Sequence, residues 1–175
     1  MIVTISGFIG SGKTTVAKDL SMRLSIKHIS AGEIFRDIAK KNDFSLEDFT
    51  KIAENNPKID RDLDNQLQDI SKEEESIIDG RLSGWLVDAD LKIWLKAPLN
   101  VRINRVARRE KKDYEHALKE TKIREESEIR RYKELYNIDM NDLTPYNVVI
   151  DTANWRAEEV VDLIYNLYLT INRRC

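Results

Sequence analysis

The sequence predicts an α/β domain: a parallel sheet with helices packed on both faces. Three observations lead there. Five short apolar runs, mostly β-branched and bounded by Gly, Pro or Asp, alternate with longer segments of helical period. A glycine-rich loop follows the first run and leads into an amphipathic segment, as a strand-loop-helix crossover requires. The chain has 175 residues, 41% of them apolar, which suits one domain with one core.

The elements follow in order. Ile2 to Ser6 is the first strand, and Val16, Leu20 and Leu24 mark the helix behind the loop. Lys27 to Ser30 is the second strand. Residues 33–75 then hold helices with no strand between them. Ser45 and Asp48 form a variant capping box ahead of the face Leu46, Phe49, Ile52 and Ala53. Pro57 separates that helix from one with the face Ile59, Leu63, Leu67 and Ile70. Ser76 to Asp79 and Leu91 to Leu95 are the third and fourth strands. Residues 99–137 are again helical, with Ile129, Tyr132 and Tyr136 as a packing stripe. Asn147 to Asp151 is the last strand. Ala157, Val160, Val161, Ile164, Leu167 and Ile171 face the sheet from the last helix. Pro98 and Pro145 punctuate loops.

Charge narrows the function classes. Lys plus Arg is 29 and Asp plus Glu 31, a balance of −2, which argues against a strongly basic nucleic-acid binder. The two strand-free regions differ in sign. Residues 33–75 are net acidic, whereas residues 102–133 carry 12 basic and seven acidic side chains. The single cysteine, Cys175, permits no disulfide within the chain and fits a reducing compartment. Met1 to Gly10 show no basic leader, and no stretch approaches the ~20 apolar residues of a membrane span.

The chemistry starts at Gly7-Phe8-Ile9-Gly10-Ser11-Gly12-Lys13-Thr14, which fits G-x-x-x-x-G-K-[ST] at every fixed position. Glycines let successive N–H groups point into one concavity, and the helix behind adds its positive end. Lys13 is expected on the β- and γ-phosphates of a nucleoside triphosphate, and the Thr14 hydroxyl on Mg²⁺. Asp79, at a strand end, is expected to hold a water of that ion; an ordinary turn at Gly80 is the plainer reading. Arg81 follows at the carboxyl edge of the sheet, where ligands of open α/β sheets bind. Ser30 caps the helix that carries Arg36. Arg102, Arg105 and Arg109 share one helix face, and Arg124, Glu128 and Arg131 share another. They read either as solvated salt-bridged faces or as cations for a transferring phosphoryl group, a task that suits arginine. His28 and His116 read as isolated structural residues. Trp85, Trp94 and Trp155 read as packing residues, although Trp155 follows the last strand, close to the place expected for the adenine of a bound nucleotide.

The phosphate loop, Ser30-Ala31-Gly32-Glu33-Ile34-Phe35-Arg36, Asp79-Gly80-Arg81 and the Arg124 to Arg131 segment together resemble the nucleoside monophosphate kinases. Gly80-Arg81-Leu82-Ser83-Gly84-Trp85 and Arg124-Glu125-Glu126-Ser127-Glu128 narrow the likeness to short archaeal cytidylate kinases. The likeness covers essentially the whole chain. It implies a P-loop three-layer fold with a five-stranded parallel sheet in order 2-3-1-4-5. It also implies a core of about 1–32, 76–98 and 138–175, an NMP-binding insertion at about 33–75, and a lid with its flanks at about 99–137. The implied reaction is ATP plus CMP, or dCMP, to ADP plus CDP or dCDP, with Mg²⁺.

By position, residues Gly7 to Thr15, that is Gly7, Phe8, Ile9, Gly10, Ser11, Gly12, Lys13, Thr14 and Thr15, hold ATP together with Arg105 and Arg109. Ser30, Arg36 and Arg81 hold the CMP sugar and phosphate. Arg124, Glu128 and Arg131 close from the lid side, with Glu128 on the ribose. Lys13, Arg81, Arg124 and Arg131 surround the moving phosphoryl group. Bacterial cytidylate kinases place an acid after the Gly-Arg pair. Leu82 stands there instead, so Asp60, Arg61 and Asp64 become the candidates for reading cytosine, against a plainly solvated helix face. Other small P-loop kinases acting on AMP, UMP or shikimate remain open, as does an NTP-dependent switch or ATPase. The expectations are a cytoplasmic enzyme of small-molecule substrates: a monomer, with no nucleic-acid or membrane partner.

Overall fold

The computed structural model describes residues 1–71 and 75–173. Cys175, and the side chains of Leu46 and Ile70, lie outside the described residues. The strands are β1 (Ile2–Ser6), β2 (Lys27–Ser30), β3 (Ser76–Asp79), β4 (Leu91–Lys96) and β5 (Val148–Asp151). The helices are α1 (Lys13–Leu24), α2 (Ala31–Lys41), α3 (Leu46–Glu54), α4 (Pro57–Ser71), α5 (Ser83–Leu86), α6 (Leu99–Glu110), α7 (Tyr114–Tyr136) and α8 (Ala157–Asn172). All strand pairs are parallel and the order is β2-β3-β1-β4-β5, as the sequence predicts.

Alternation along the strands separates two apolar layers. Val3, Ile5, Ile77, Leu91, Ile93, Leu95 and Ile150 pack with Val16, Ala17 and Leu20 of α1 and Val160, Val161 and Ile164 of α8. On the opposite face, Ile29 and Ile78 meet Leu63 and Leu67 of α4. Trp94 packs there with Leu82, Ile138, Met140 and Tyr146, and Ile129, Tyr132 and Tyr136 of α7 lie against that cluster. Truncating a side chain as enclosed as Leu20, with no exposed surface, costs on the order of 2–5 kcal/mol.

Small departures have local causes. Asn147 does not extend β5: its N–H donates to Lys92 C=O (2.8 Å) and its Oδ1 accepts from Lys92 N–H (2.7 Å), closing the strand's entry. Ser45 caps α3 by accepting from Asp48 N–H at 3.0 Å, but the Asp48 carboxylate accepts from the Ser45 hydroxyl (2.6 Å) rather than from its backbone. Trp85 and Trp94 pack as expected. Trp155 does not: it is 52% exposed in the turn between edge strand β5 and α8, and finds no packing layer there. No helix among the described residues is long and apolar enough to cross a membrane.

Candidate active site

β1 ends at Ser6, and the chain curls onto the N-terminus of α1. Gly10 and Gly12 take φ of +78° and +99°, and Gly7 takes +147°. A Cβ on Gly7 would lie 2.2 Å from Leu95 O, and one on Gly10 2.5 Å from Arg102 O. Glycine is therefore needed for the curl and for the close approach of β4 and α6. Lys13 Nζ donates to Phe8 C=O at 2.9 Å, folding the ammonium across the loop. Burial, aided by the Arg81 charge, pushes Lys13 down to about 7. A phosphate at its side would favour the charged form.

Parallel register sets the next residues. Asp79 on β3 stands opposite Ile5 and Ser30. Its Oδ2 makes no hydrogen bond and lies 3.6 Å from His28 Nε2. Burial alone would raise this carboxyl, but His28, Ser30, Thr14 and the Lys13 charge outweigh burial and hold it below the usual carboxylate value. His28 is thus not isolated, because the β2–β3 register carries it to the acid. His116, by contrast, is exposed and pairs with Glu120. Thr14 and Asp79 offer neighbouring hard oxygens, one of them buried and unpartnered, a donor set that suits Mg²⁺ in a partly hydrated state.

The same cleft continues to the helices beyond β2 and to α7. Its wall carries six cationic side chains, Lys13, Arg36, Arg81, Arg109, Arg124 and Arg131, against three acidic ones, Asp60, Asp79 and Glu128. Ser30 lies at its floor and also caps α2, accepting from Glu33 N–H at 3.3 Å. Arg81 forms an ion pair with Glu128, and burial lowers its guanidinium to about 10. Arg131 Nε donates to Asp60 Oδ2 at 2.9 Å, and its Nη1 to Ser127 Oγ at 3.0 Å. Burial raises the Asp60 carboxyl against the pull of Arg131. Burial also lowers Arg124, which lies among Glu110, Arg109 and Arg36.

Other expected residues lie elsewhere. Arg61 is exposed and does not line the cleft. Asp64 accepts from the Tyr136 hydroxyl at 2.5 Å, and burial lifts its carboxyl to about 6. Arg105 donates to Thr152 Oγ1 (2.8 Å) and Thr152 C=O (2.7 Å) and, at longer range, to Gly10 and Ser11 C=O (3.4 and 3.5 Å), so it ties α6 and the end of β5 to the phosphate loop without lining the cleft. The rings of Phe8 and Trp94 meet nearly at right angles, with centroids 5.5 Å apart. Ser11 is buried, and Thr15 is exposed on α1. Leu82 is core, 4% exposed. Of the three arginines that share a face of α6, only Arg109 reaches the cleft.

Sequence reasoning did not single out Phe35, Thr50, Leu63 and Tyr132 as cleft residues, yet they line it. It also missed Glu125, whose carboxylate accepts from Ile9 N–H at 2.9 Å. One signal was present: Ala117, Thr121 and Glu125 are spaced by four on α7, and all three are buried.

Comparison with known proteins agrees with this geometry. Residues 2–154 match the model of the cytidylate kinase-like family. A cytidylate kinase of Halobacterium salinarum is 47% identical over 167 residues, covering 94% of this chain and 87% of that protein. One from Methanocaldococcus jannaschii is 43% identical over 169 residues, covering 94% and 95%. Among solved structures, a shikimate kinase from Bacteroides thetaiotaomicron superposes with a TM-score of 0.64 at 13% identity, covering 96% of this chain and 98% of that one, which speaks to the fold alone.

Proposed function

The chain belongs to the cytidylate kinase-like family, and on that footing we propose that it transfers the γ-phosphoryl group of ATP to CMP, and to dCMP, giving ADP and CDP or dCDP. The observation that carries this reading is the single cleft in which Lys13, Thr14 and Asp79 meet Arg36, Arg81, Arg124 and Arg131. That concentration of cations suits two phosphate groups brought together for transfer.

The phosphate loop takes the donor's phosphates on its N–H groups and Lys13. Mg²⁺ would be held by the Thr14 hydroxyl and, through water, by Asp79; when bound it neutralises charge on the donor phosphates. Ser30, Arg36 and Arg81 take the acceptor's sugar and phosphate, with Arg124 and Arg131 above them on α7. Helices α2–α4 form the acceptor-binding part, and the α6–α7 hairpin forms the lid and its flanks. An oxygen of the CMP phosphate attacks the γ-phosphorus, the bond to the bridging oxygen breaks, and ADP leaves. The acceptor oxygen is already ionised, so no general base is required. Alignment and charge neutralisation by Lys13 and the arginines do the work.

Two contacts must exchange on binding. Arg81 leaves Glu128 for the acceptor phosphate, which frees the Glu128 carboxylate for the ribose hydroxyls. Asp60, already oriented by Arg131, accepts from the cytosine amino group, while Phe35 and Leu63 flank the ring. Arg109 extends toward the donor nucleotide. The enzyme is a cytoplasmic monomer in this reading.

The test is a panel of acceptors, CMP, dCMP, UMP, AMP and shikimate, with ATP and Mg²⁺, quantifying ADP and phosphorylated product. Turnover confined to CMP and dCMP, with slow ADP release when no acceptor is present, is the expected result. Equal ADP formation without acceptor would make the chain an ATPase, and product from AMP or shikimate alone would assign another acceptor.

A further inference from the structure

The phosphate loop is braced at Ile9 by an ion pair of two residues that lie outside its motif and do not line the cleft. Arg102 stands near the start of α6, and Glu125 in the middle of α7. Both are buried, at 8% and 9% exposure. Glu125 Oε1 accepts from Ile9 N–H (2.9 Å) and from Arg102 Nη1 (2.6 Å). The same Nη1 donates to Ile9 C=O at 2.8 Å, and Arg102 Nε donates to Ala97 C=O at 3.2 Å, just past β4. Both backbone polar groups of Ile9 are therefore held by one ion pair. The Ile9 side chain is enclosed by Ile103, Val106, Ala107 and Ala117 of the same two helices. The next residue, Gly10, is pressed against the Arg102 backbone. The curl of the loop at 9–10 is thus moulded on the α6–α7 hairpin.

The helix that grips the donor loop through Glu125 also carries Arg124, Glu128 and Arg131, which line the acceptor part of the cleft. A shift of α7 that lets those three engage the acceptor is transmitted to the Ile9 backbone, because the buried Glu125 oxygen is hydrogen-bonded at once to Ile9 N–H and to the Arg102 cation, and charge-assisted bonds resist stretching. We propose that Glu125, braced by Arg102, is a positioning residue that couples the two nucleotide sites, so that each nucleotide strengthens binding of the other. The inference rests on the kinase reading above. Such coupling is a reciprocal free energy and needs two sites sharing one movable element, here α7.

The test uses the full chain and a non-transferable ATP analogue, AMPPNP with Mg²⁺, titrated calorimetrically with and without CMP. In the natural protein CMP should lower the AMPPNP dissociation constant on the order of tenfold, and AMPPNP should do the same for CMP. Glu125→Gln keeps the shape and an oxygen that both donors can reach, but removes the negative charge that holds Arg102; it should reduce the coupling to twofold or less while CMP alone binds as before. Arg102→Lys keeps the charge but not the fork, and should do likewise. Glu126→Gln, one residue away and exposed, should retain full coupling. In steady state Glu125→Gln should raise KM for ATP more than it lowers kcat.

Unchanged coupling in both Glu125→Gln and Arg102→Lys would overturn the proposal. Loss of native circular dichroism in both would overturn it as well, since the pair would then serve only the fold. CDP formation by the natural protein, measured separately, keeps the two ideas apart. CDP without any coupling removes this inference alone, whereas no CDP removes the kinase reading.

Discussion

The two halves of the cleft are built from different materials. On the side proposed for the donor, residues 7–14 are consecutive, and their shape is set by glycine conformations, by backbone contacts with β4 and α6, and at Ile9 by the Arg102–Glu125 pair. On the acceptor side, the groups come from β2, β3, α2, α4 and α7, and side chains hold them to one another: Arg81 with Glu128, Arg131 with Asp60, Tyr136 with Asp64. Arg36 is exposed at the rim. A backbone cradle is ready before its ligand arrives. Ion pairs between side chains must be exchanged for ligand contacts, at a desolvation cost the ligand offsets. In the proposed reading the donor half is therefore largely preformed, adjusted at Ile9 through α7, and the acceptor half is the part that rearranges.

The largest effect should come from the preformed half. Lys13→Met removes the motif's own cation, whose ammonium folds across the loop and lines the cleft. With charge building on the transferred group, kcat should fall by about a thousandfold or more, roughly 4 kcal/mol, with the fold intact by circular dichroism. A loss of only a few-fold would mean that the arginines, not the loop, govern transfer, and the contrast would break.

A pair of glycine substitutions compares the halves directly. Gly10→Ala demands a strained φ and meets backbone oxygen at 2.5 Å, which cannot swing away. It should raise KM for ATP at least about tenfold and lower the melting temperature. Gly32→Ala, beside the proposed acceptor residues, meets nothing closer than the flexible end of Arg36 at 3.4 Å. It should stay within about twofold of the natural enzyme in both measures. Equal sensitivity at the two positions would show that the acceptor half is as rigid as the donor half.

This division also explains what was legible in the sequence. The five strands were, because short β-branched runs between turn residues need no tertiary context. The phosphate loop was, because its chemistry is contiguous. The fates of Arg102, Arg105 and Arg109 were not. Their spacing puts their Cα atoms on one face of α6, but a long side chain ends several ångströms away. Arg102 turns to Ile9, Arg105 to Thr152, and only Arg109 to the cleft. Asp60, Arg61 and Asp64 share a short stretch of α4, yet burial by α7 separates them: Asp60 meets Arg131, Asp64 meets Tyr136, and Arg61 is left in solvent. Pairing across 71 residues of chain leaves no local trace.

That separation yields a specificity prediction of intermediate size. Asp60→Asn keeps the volume but presents the cytosine amino group with an amide of either orientation. The ratio of kcat/KM for CMP over UMP should fall by about ten- to a hundredfold, since UMP offers an oxygen where CMP offers an amino group. An unchanged ratio would move base reading off α4 and leave Asp60 as an anchor for Arg131.

The smallest effect tests whether the acceptor half gives up stability to stay adjustable. Burial lifts Asp64 to about 6, against the hydrogen bond from Tyr136, with the neighbouring Asp60 adding to the rise. The folded chain then holds a proton on Asp64 that the unfolded chain has released between about pH 4 and pH 6. More protons bound in the folded state means that this group's contribution falls as pH rises through that window and stays low above it. Asp64→Asn keeps an acceptor for the Tyr136 hydroxyl and has no carboxyl to ionise. The variant should match the natural protein near pH 4 and exceed it by about 1 kcal/mol at pH 7, read from urea midpoints at the two pH values. Equal stability at both would mean that the α4–α7 seam accommodates the charge at no cost. The acceptor half would then be as settled as the donor half, and the rearrangement assigned to it would have to begin at Arg81 and Glu128 alone.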